Sequence, residues 1–275
     1  MLSGFIMNQA LKHPGAKLKL ADWIIDNIPS HSVYLEPFFG SGAVFFNKSK
    51  SEIETINDIN NDVYNYFKVL RDYPEELITA LSLTPYSRKE YIEAYYMPDD
   101  NDNCIEKARK FAVRCYMGFG ASNRYKNGFR SSQMHGSPDI PRCWKKLPDT
   151  LYLASNRLLD AQIENLDYKE LLSRYNTEDV FIYLDPPYLQ NTRKACLYKN
   201  EMDLKDHEEL LNIILKHSSK IMISGYSSPL YDDALKRWKK ITKNNVVEGG
   251  LIREEVLWMN YETEPMLFNF DEIGE

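Results

Sequence analysis

The sequence predicts an α/β protein in which an open, mainly parallel sheet is interrupted by a helical insert. Three observations carry that expectation. Val180-Phe-Ile-Tyr-Leu184 is an apolar run rich in β-branched and aromatic residues, as in a strand buried on both faces, and it stops at Asp185-Pro186-Pro187. Ser32 to Leu35, the loop Glu36-Pro-Phe-Phe-Gly-Ser-Gly42 and a helical run from Ala43 form a strand–glycine loop–helix unit, the opening of a nucleotide-type sheet. From about Val69 to Asp149 the strand-like runs cease and helical stretches replace them. Residues 1–68 and 150–275 are therefore expected to form one discontinuous domain, and residues 69–149 an inserted one.

In chain order, Leu11-Lys-His-Pro-Gly-Ala-Lys17 reads as a loop by its Pro-Gly pair, and an amphipathic helix runs from Leu18 to Ile28, closed by Pro29. Gly40 and Gly42 would let a ligand approach the backbone at the start of the next helix. A dinucleotide fingerprint needs a further glycine where Phe45 stands, which argues against NAD. Glu52 to Ile56 is the second strand. Asp58 follows it, suited to ribose hydroxyls or to capping the helix that begins near Asp62. Helices are predicted over Pro74–Leu81, Arg88–Tyr96 and Ile105–Met117, then a Gly/Asn/Ser-rich stretch from Gly118 to Pro141. Within it, Asn123-Arg-Tyr-Lys-Asn-Gly128 has the character of a hairpin turn.

After Pro148 a helix (Leu151–Leu159) precedes a third strand (Gln162–Glu164). Asp167 follows, placed either to accept from an adenine amino group or to cap the helix Lys169–Tyr175. Beyond the central strand lie a loop, Leu189–Met202, with Arg193, Lys194 and Tyr198, and a helix, Asp206–Leu215. A strand (Lys220–Ser224), a turn (Gly225–Pro229) and two closing β runs (Lys240–Glu248 and Glu254–Tyr261) complete the chain.

Composition narrows the function. Hydrophobic residues at 43% and charged residues at 27% describe an ordinary globular protein. No apolar run approaches the ~20 residues of a membrane-spanning helix, and Met1 to Lys17 lacks the form of a signal peptide. Cys104, Cys115, Cys143 and Cys196 form no CxxC pair, and no HExxH occurs. Reduced thiols in a cytoplasm and no metal site are expected. The net charge of −6 hides its distribution: between Lys107 and Lys146 stand ten Lys or Arg against a single acid, Asp139. Tyr116, Phe119, Tyr125, Phe129 and Trp144 are interleaved with them. A solvated basic face is the plain alternative, yet such a concentration in an acidic chain favours a phosphate-backbone partner. Lys107, Lys110, Lys145 and Lys146 suit phosphates. Asn123, Arg124, Lys126 and Arg130 crowd one hairpin, where side chains can read bases.

The turn Asp185-Pro186-Pro187-Tyr188 has its own chemistry. Prolines carry a carbonyl and no N–H, so this turn offers mainly acceptors. An exocyclic amine with two N–H donors fits between the Asp185 carboxylate and a backbone carbonyl, and Tyr188 supplies a flat surface for a nucleobase. Two acceptors holding those hydrogens would aim the nitrogen lone pair at an electrophile. The alternative is an acidic turn that merely ends a strand, with a core tyrosine beside it.

Lys12-His-Pro-Gly-Ala-Lys17, Glu36-Pro-Phe-Phe-Gly-Ser-Gly42, Asn57-Asp58, the basic insert, Asp185-Pro-Pro-Tyr188, Ile223-Ser-Gly-Tyr226 and Glu255-Val-Leu-Trp-Met-Asn-Tyr261 stand in one order along nearly the whole chain. In that order and spacing the sequence resembles the Dam-like class of DNA N6-adenine methyltransferases. One departure is that His13 and Pro14 replace a usual Trp-Ala. The resemblance implies a Rossmann-like methyltransferase sheet of seven strands, the last antiparallel, and an inserted, mainly helical DNA-recognition domain. It implies S-adenosyl-L-methionine as cofactor and double-stranded DNA as partner, with a cognate restriction endonuclease where such an enzyme serves restriction-modification. By the same likeness, His13 and Lys17 lie at the cofactor's methionine end, and Glu36, Pro37, Phe38, Phe39, Gly40, Ser41 and Gly42 form its pocket. Asp58 binds the ribose and Asp167 the cofactor's adenine. Asp185 and the Pro186 carbonyl hold the target amine close to the sulfonium, Pro187 completes the turn and Tyr188 stacks on a flipped base. Cytosine-N4 enzymes usually carry Ser in place of the Asp, and protein-glutamine methyltransferases Asn. A DNA-binding module that retains cofactor without turnover is the non-enzymatic alternative.

Overall fold

Alternation decides the architecture. In the strand Val180–Leu184, Phe181 and Tyr183 enter one hydrophobic core, while Val180, Ile182 and Leu184 enter a second on the opposite face. A strand apolar on both faces must sit inside a sheet covered on both sides. The computed structural model, which describes residues 7, 9–96, 102–119, 126–132, 139–189, 199–246 and 252–263, places it there. The strands are β1 (Val33–Glu36), β2 (Ile53–Asn57), β3 (Ala161–Glu164), β4 (Val180–Leu184), β5 (Lys220–Gly225), β6 (Lys239–Val246) and β7 (Ile252–Met259). They form a seven-stranded sheet of order β3-β2-β1-β4-β5-β7-β6. β1 to β5 are parallel, and β7 runs antiparallel to both of its neighbours. The sheet is Rossmann-like, with its last strand reversed as expected.

Strand order reverses between β1 and β4, whose register pairs Val33 with Val180 and Leu35 with Ile182. Crevices at such a reversal bind ligands at the carboxyl ends of the strands. Glu36 ends β1 there and Asp185 follows β4, so topology alone brings two acidic residues to one cleft.

The helices are α1 (Ala21–Ile25), α2 (Asn61–Asp72), α3 (Pro74–Leu83), α4 (Arg88–Tyr96), α5 (Cys104–Met117), α6 (Ile140–Lys145), α7 (Leu147–Leu158), α8 (Tyr168–Arg174), α9 (Leu204–Ile214) and α10 (Pro229–Ala234). Buried residues of α2, α3, α5 and α7 share one core with Tyr34, Phe181 and Tyr183 of the sheet. α8, α9 and α10 cover the other face through Leu171, Leu172, Leu210, Leu211 and Tyr231. The anticipated boundaries at 68/69 and 149/150 fall inside α2 and α7, whose buried residues share one core with the sheet.

Three local expectations need correction. No helix follows the glycine loop; residues 43–47 form turns, closed by Phe46 N–H to the Gly42 carbonyl (2.9 Å) and Lys48 N–H to the Val44 carbonyl (2.9 Å). Phe39, Phe45 and Phe46 are all buried against one another and Phe67 at ring separations of 4.8–5.9 Å, and neighbours on a regular helix diverge by ~100°. The first helix stops at Ile25 instead of Ile28. α6 and α10 are short helices with proline in their first turn, where its missing N–H is harmless, and Pro148 likewise opens α7. Among the described residues no helix is long and apolar enough to cross a membrane.

Candidate active site

Asp185 leaves β4 beside the end of β5. Its Oδ1 accepts a hydrogen bond from Ser224 Oγ (2.8 Å) and pairs with Lys17 Nζ (2.9 Å). Among the described residues Oδ2 takes no hydrogen bond. Lys17 comes from the N-terminal loop; its Nζ also donates to the Gly15 carbonyl (2.9 Å) and lies 4.7 Å from the centre of the Tyr188 ring. The Tyr188 hydroxyl donates to Glu255 Oε2 (2.8 Å), and its ring meets Tyr226 edge-on at 4.7 Å. Burial, then the negative charges of Asp185 and Glu255, hold that hydroxyl far above its usual pKa, so it remains a donor.

Glu36, at the end of β1, is buried and accepts from the Tyr34 hydroxyl (2.7 Å). Burial pushes its carboxyl up to about 8, against the opposing hydrogen bond from Tyr34. His13 is buried too, which lowers its pKa to about 4; its Nδ1 lies 3.1 Å from the Pro14 carbonyl. A carbonyl only accepts, so the neutral ring carries its proton on Nδ1. Gly40 (φ +51°) lets the two loops meet: a Cβ there would stand 3.1 Å from His13 Nδ1.

Asp58 is held by two backbone amides, Gly40 N–H on Oδ2 (2.8 Å) and Asn60 N–H on Oδ1 (2.9 Å). Burial outweighs both and moves its pKa up to about 6. It does not cap α2; Asn60 does, accepting from Asp62 N–H at 3.0 Å. Asp167 is exposed and does cap α8, through Lys169 N–H to Oδ1 (2.8 Å). Asn57 clasps three strand ends: its Nδ2 donates to the carbonyls of Pro37 (2.9 Å) and Leu166 (3.1 Å), and its Oδ1 accepts from Leu166 N–H (2.8 Å).

His13, Lys17, Glu36, Asn57, Asp58, Asp167 and Asp185 border a cavity of about 230 Å³, whereas Pro186 and Tyr188 lie outside its lining, against a smaller pocket with Ser224 and Tyr226. Pro37, Phe38, Phe39, Gly40, Ser41 and Pro187 also line the larger cavity. Gly42 lies outside the lining. Its φ of +66° and its contact with the Phe39 and Phe46 rings, 2.4 and 2.7 Å from an added Cβ, make it a packing position. Asn57, Tyr168, Lys199, Met202 and Asp206 also line the cavity and were not anticipated; only the Asn-Asp pair after β2 carried a signal.

The model of the D12 class N6 adenine-specific DNA methyltransferases matches residues 13–248. The chain belongs to this family. It is 27% identical over 244 residues to the type II methyltransferase M1.LlaDCHI of Lactococcus lactis subsp. cremoris, covering 82% of this chain and 83% of that protein. It is 28% identical over 250 residues to the DNA adenine methylase of Vibrio cholerae (87% of each chain) and 24% over 250 residues to that of Salmonella typhi (86% of each). This methyltransferase therefore acts on adenine in DNA and draws on a methyl donor, and the amine it modifies is N6.

Within residues 69–149 of the methyltransferase, part of the basic stretch is paired with acids. Lys110 pairs with Asp102 (2.6 Å) and is largely buried, so it does not present a free charge to phosphates. Arg109 is bound by Glu106 (2.6 Å) and Glu90 (3.0 Å), and Arg114 lies 3.6 Å from Asp62. The count between 107 and 146 missed these acids because all of them precede it in sequence, Asp102 and Glu106 narrowly, Glu90 and Asp62 on earlier helices. Lys107, Lys126, Arg142, Lys145 and Lys146 are exposed. The hairpin base exists: Gly118 bridges Phe129 antiparallel, and Arg130 N–H donates to the Met117 carbonyl (2.8 Å). The hydroxyls of Tyr86 and Tyr91 bond the carbonyls of Arg130 (2.7 Å) and Asn127 (2.5 Å). Asn123 and Arg124 lie outside the described residues, as do Arg193, Lys194 and Tyr198.

Proposed function

We propose that the methyl donor is S-adenosylmethionine bound in the cavity at the β1–β4 switch point, and that the target adenine is turned out of double-stranded DNA onto Tyr188. The arrangement around Asp185 carries this reading: Lys17 and Ser224 fix Oδ1, while Oδ2 and the Pro186 carbonyl are left as acceptors for the two N6 hydrogens. The cavity suits the donor's parts. Five acidic residues (Asp58, Asp167, Asp185, Glu201 and Asp206) and the neutral Glu36 line it against Lys17, Lys199 and a neutral His13, a balance that favours a cationic ligand with hydroxyl and amino donors. The cofactor supplies an electrophilic methyl on a sulfonium. Asp58, oriented by two amides, accepts from ribose hydroxyls, and Asp167 from the cofactor's adenine amine. Asp185 orients the target nitrogen and stabilises positive charge as it develops, so the protein contributes orientation and electrostatics. Residues 69–149 supply DNA contacts, with the hairpin reading bases. Because relatives include type II methyltransferases, protection of DNA from a cognate restriction endonuclease belongs to the proposal.

The test is transfer from radiolabelled S-adenosylmethionine to duplex DNA by purified protein, followed by sequencing of methylated bases in host DNA. Label at N6 of adenine within one motif is expected. Cofactor binding without transfer would overturn the catalytic reading, and label on cytosine the choice of base.

A further inference from the structure

β7 changes character at Glu255: Ile252 to Glu254 are exposed or half-buried, and everything from Glu255 to Met259 is buried. A carboxylate at the first buried position of a strand is costly unless something pairs with it. Glu255 is 4% exposed, and its partner is the Tyr188 hydroxyl at 2.8 Å. The antiparallel register, Gly225 opposite Val256 and Ser224 opposite Leu257, brings Glu255 beside the end of β5, where Ser224 holds Asp185. Lys17 closes the group, 2.9 Å from Asp185 and 4.7 Å over the Tyr188 ring, with Tyr226 against that ring edge-on.

We propose that Glu255 is a positioning residue for methyl transfer: its carboxylate fixes the Tyr188 ring in the orientation that receives the target adenine. The inference rests on the reading that Tyr188 stacks on the flipped base. Loss of the carboxylate takes from a buried hydroxyl the acceptor at 2.8 Å and removes a restraint on the ring. The Tyr188 hydroxyl is then needed for placement, although stacking itself uses only the ring.

The experiment compares Glu255→Ala, Glu255→Gln, Tyr188→Phe, Tyr188→Ala and the double variant Glu255→Ala/Tyr188→Phe. Readouts are kcat, KM for S-adenosylmethionine, and fluorescence of a duplex with 2-aminopurine at the target position. Glu255→Ala and Tyr188→Phe should each lower kcat about tenfold, as for one hydrogen bond to a charged group, with KM for the cofactor little changed. The double variant should fall no further than the lower single, and Glu255→Gln, which still accepts from the hydroxyl, should keep most activity. Multiplying losses in the double variant, or wild-type kcat in Glu255→Ala beside a defective Tyr188→Ala, would overturn the positioning role. Wild-type fluorescence and kcat in Tyr188→Ala would instead sink the stacking reading. Should Glu255→Ala not fold, the remaining pair decides: an active Gln variant with an impaired Phe variant supports the role, and the reverse order refutes it.

Discussion

Asp185 commits Oδ1 to Lys17 and Ser224, so Asp185→Asn changes two things together. It removes the charge facing Lys17 and puts an NH₂ donor where an acceptor for the amine stood. Turnover should fall at least ~10²-fold, the scale of losing one electrostatic stabiliser, while DNA binding persists in a gel-shift assay; near-wild-type methylation would exclude the role. Tyr188→Ala should weaken capture of the extruded base by roughly 1–3 kcal/mol, read from the same 2-aminopurine duplex. Glu36 adds a pH signature. Its folded pKa of about 8 exceeds the ordinary 4.5, so its contribution to stability is complete below 4.5 and lost as pH rises through about 8. Glu36→Gln keeps an acceptor for Tyr34 and cannot ionise. It should raise the melting temperature at pH 8–9 and leave it nearly unchanged at pH 5, and a parallel shift at both pH values would contradict the buried neutral acid.

At the scale of elements, the glycine loop works through its turns. Gly42 combines φ +66° with two phenyl rings where an added Cβ would stand, so Gly42→Ala must strain the backbone and displace Phe39. A loss on the order of 2–4 kcal/mol in urea unfolding is expected, and a neutral result would show that the aromatic cluster can yield. In the insert, charges divide by their partners. Lys145→Ala and Lys146→Ala should weaken binding to all duplexes alike and each flatten the salt dependence by about one unit of slope. Lys110→Ala, which unpairs Asp102, should lower stability without changing that slope. Arg130→Ala should cost ~1–3 kcal/mol on the preferred site and little elsewhere. Binding constants for cognate and scrambled duplexes across a salt series separate these outcomes.

Across the whole molecule, one buried ion cluster ties the chain's return from the insert to the sheet. Glu54 of β2, 1% exposed, accepts from Lys48 (2.5 Å), from Ser51 N–H (3.0 Å) and from both terminal nitrogens of Arg157 on α7. Removing the carboxylate would strand two cations in the interior, so Glu54→Ala should cost about 3–5 kcal/mol. Urea midpoints check the loss, and activity per folded molecule should survive because none of these residues lines the cavity. A neutral substitution would mean that water reaches the cluster.

Sequence alone determined the features that depend on near neighbours. The apolar run Val180–Leu184 matched β4 residue for residue, and the remaining strands were displaced by one or two residues where described, because a period of two and bounding turn residues are local information. The acidic and proline-rich strand ends were legible for the same reason, and topology then gathered them into one cavity. Where burial competed with local preference, as at Ala43, helical spacing misled. Only the tertiary structure decided the pairings: Tyr188 with Glu255 across 67 residues, Arg157 with Glu54 across 103, and Lys17 of the N-terminal loop with Asp185 at the end of β4. It also decided which of the insert's cations remain exposed. A side chain's partner is set by which strand ends and helix faces the fold brings together, and within a stretch of sequence a paired lysine reads the same as a free one.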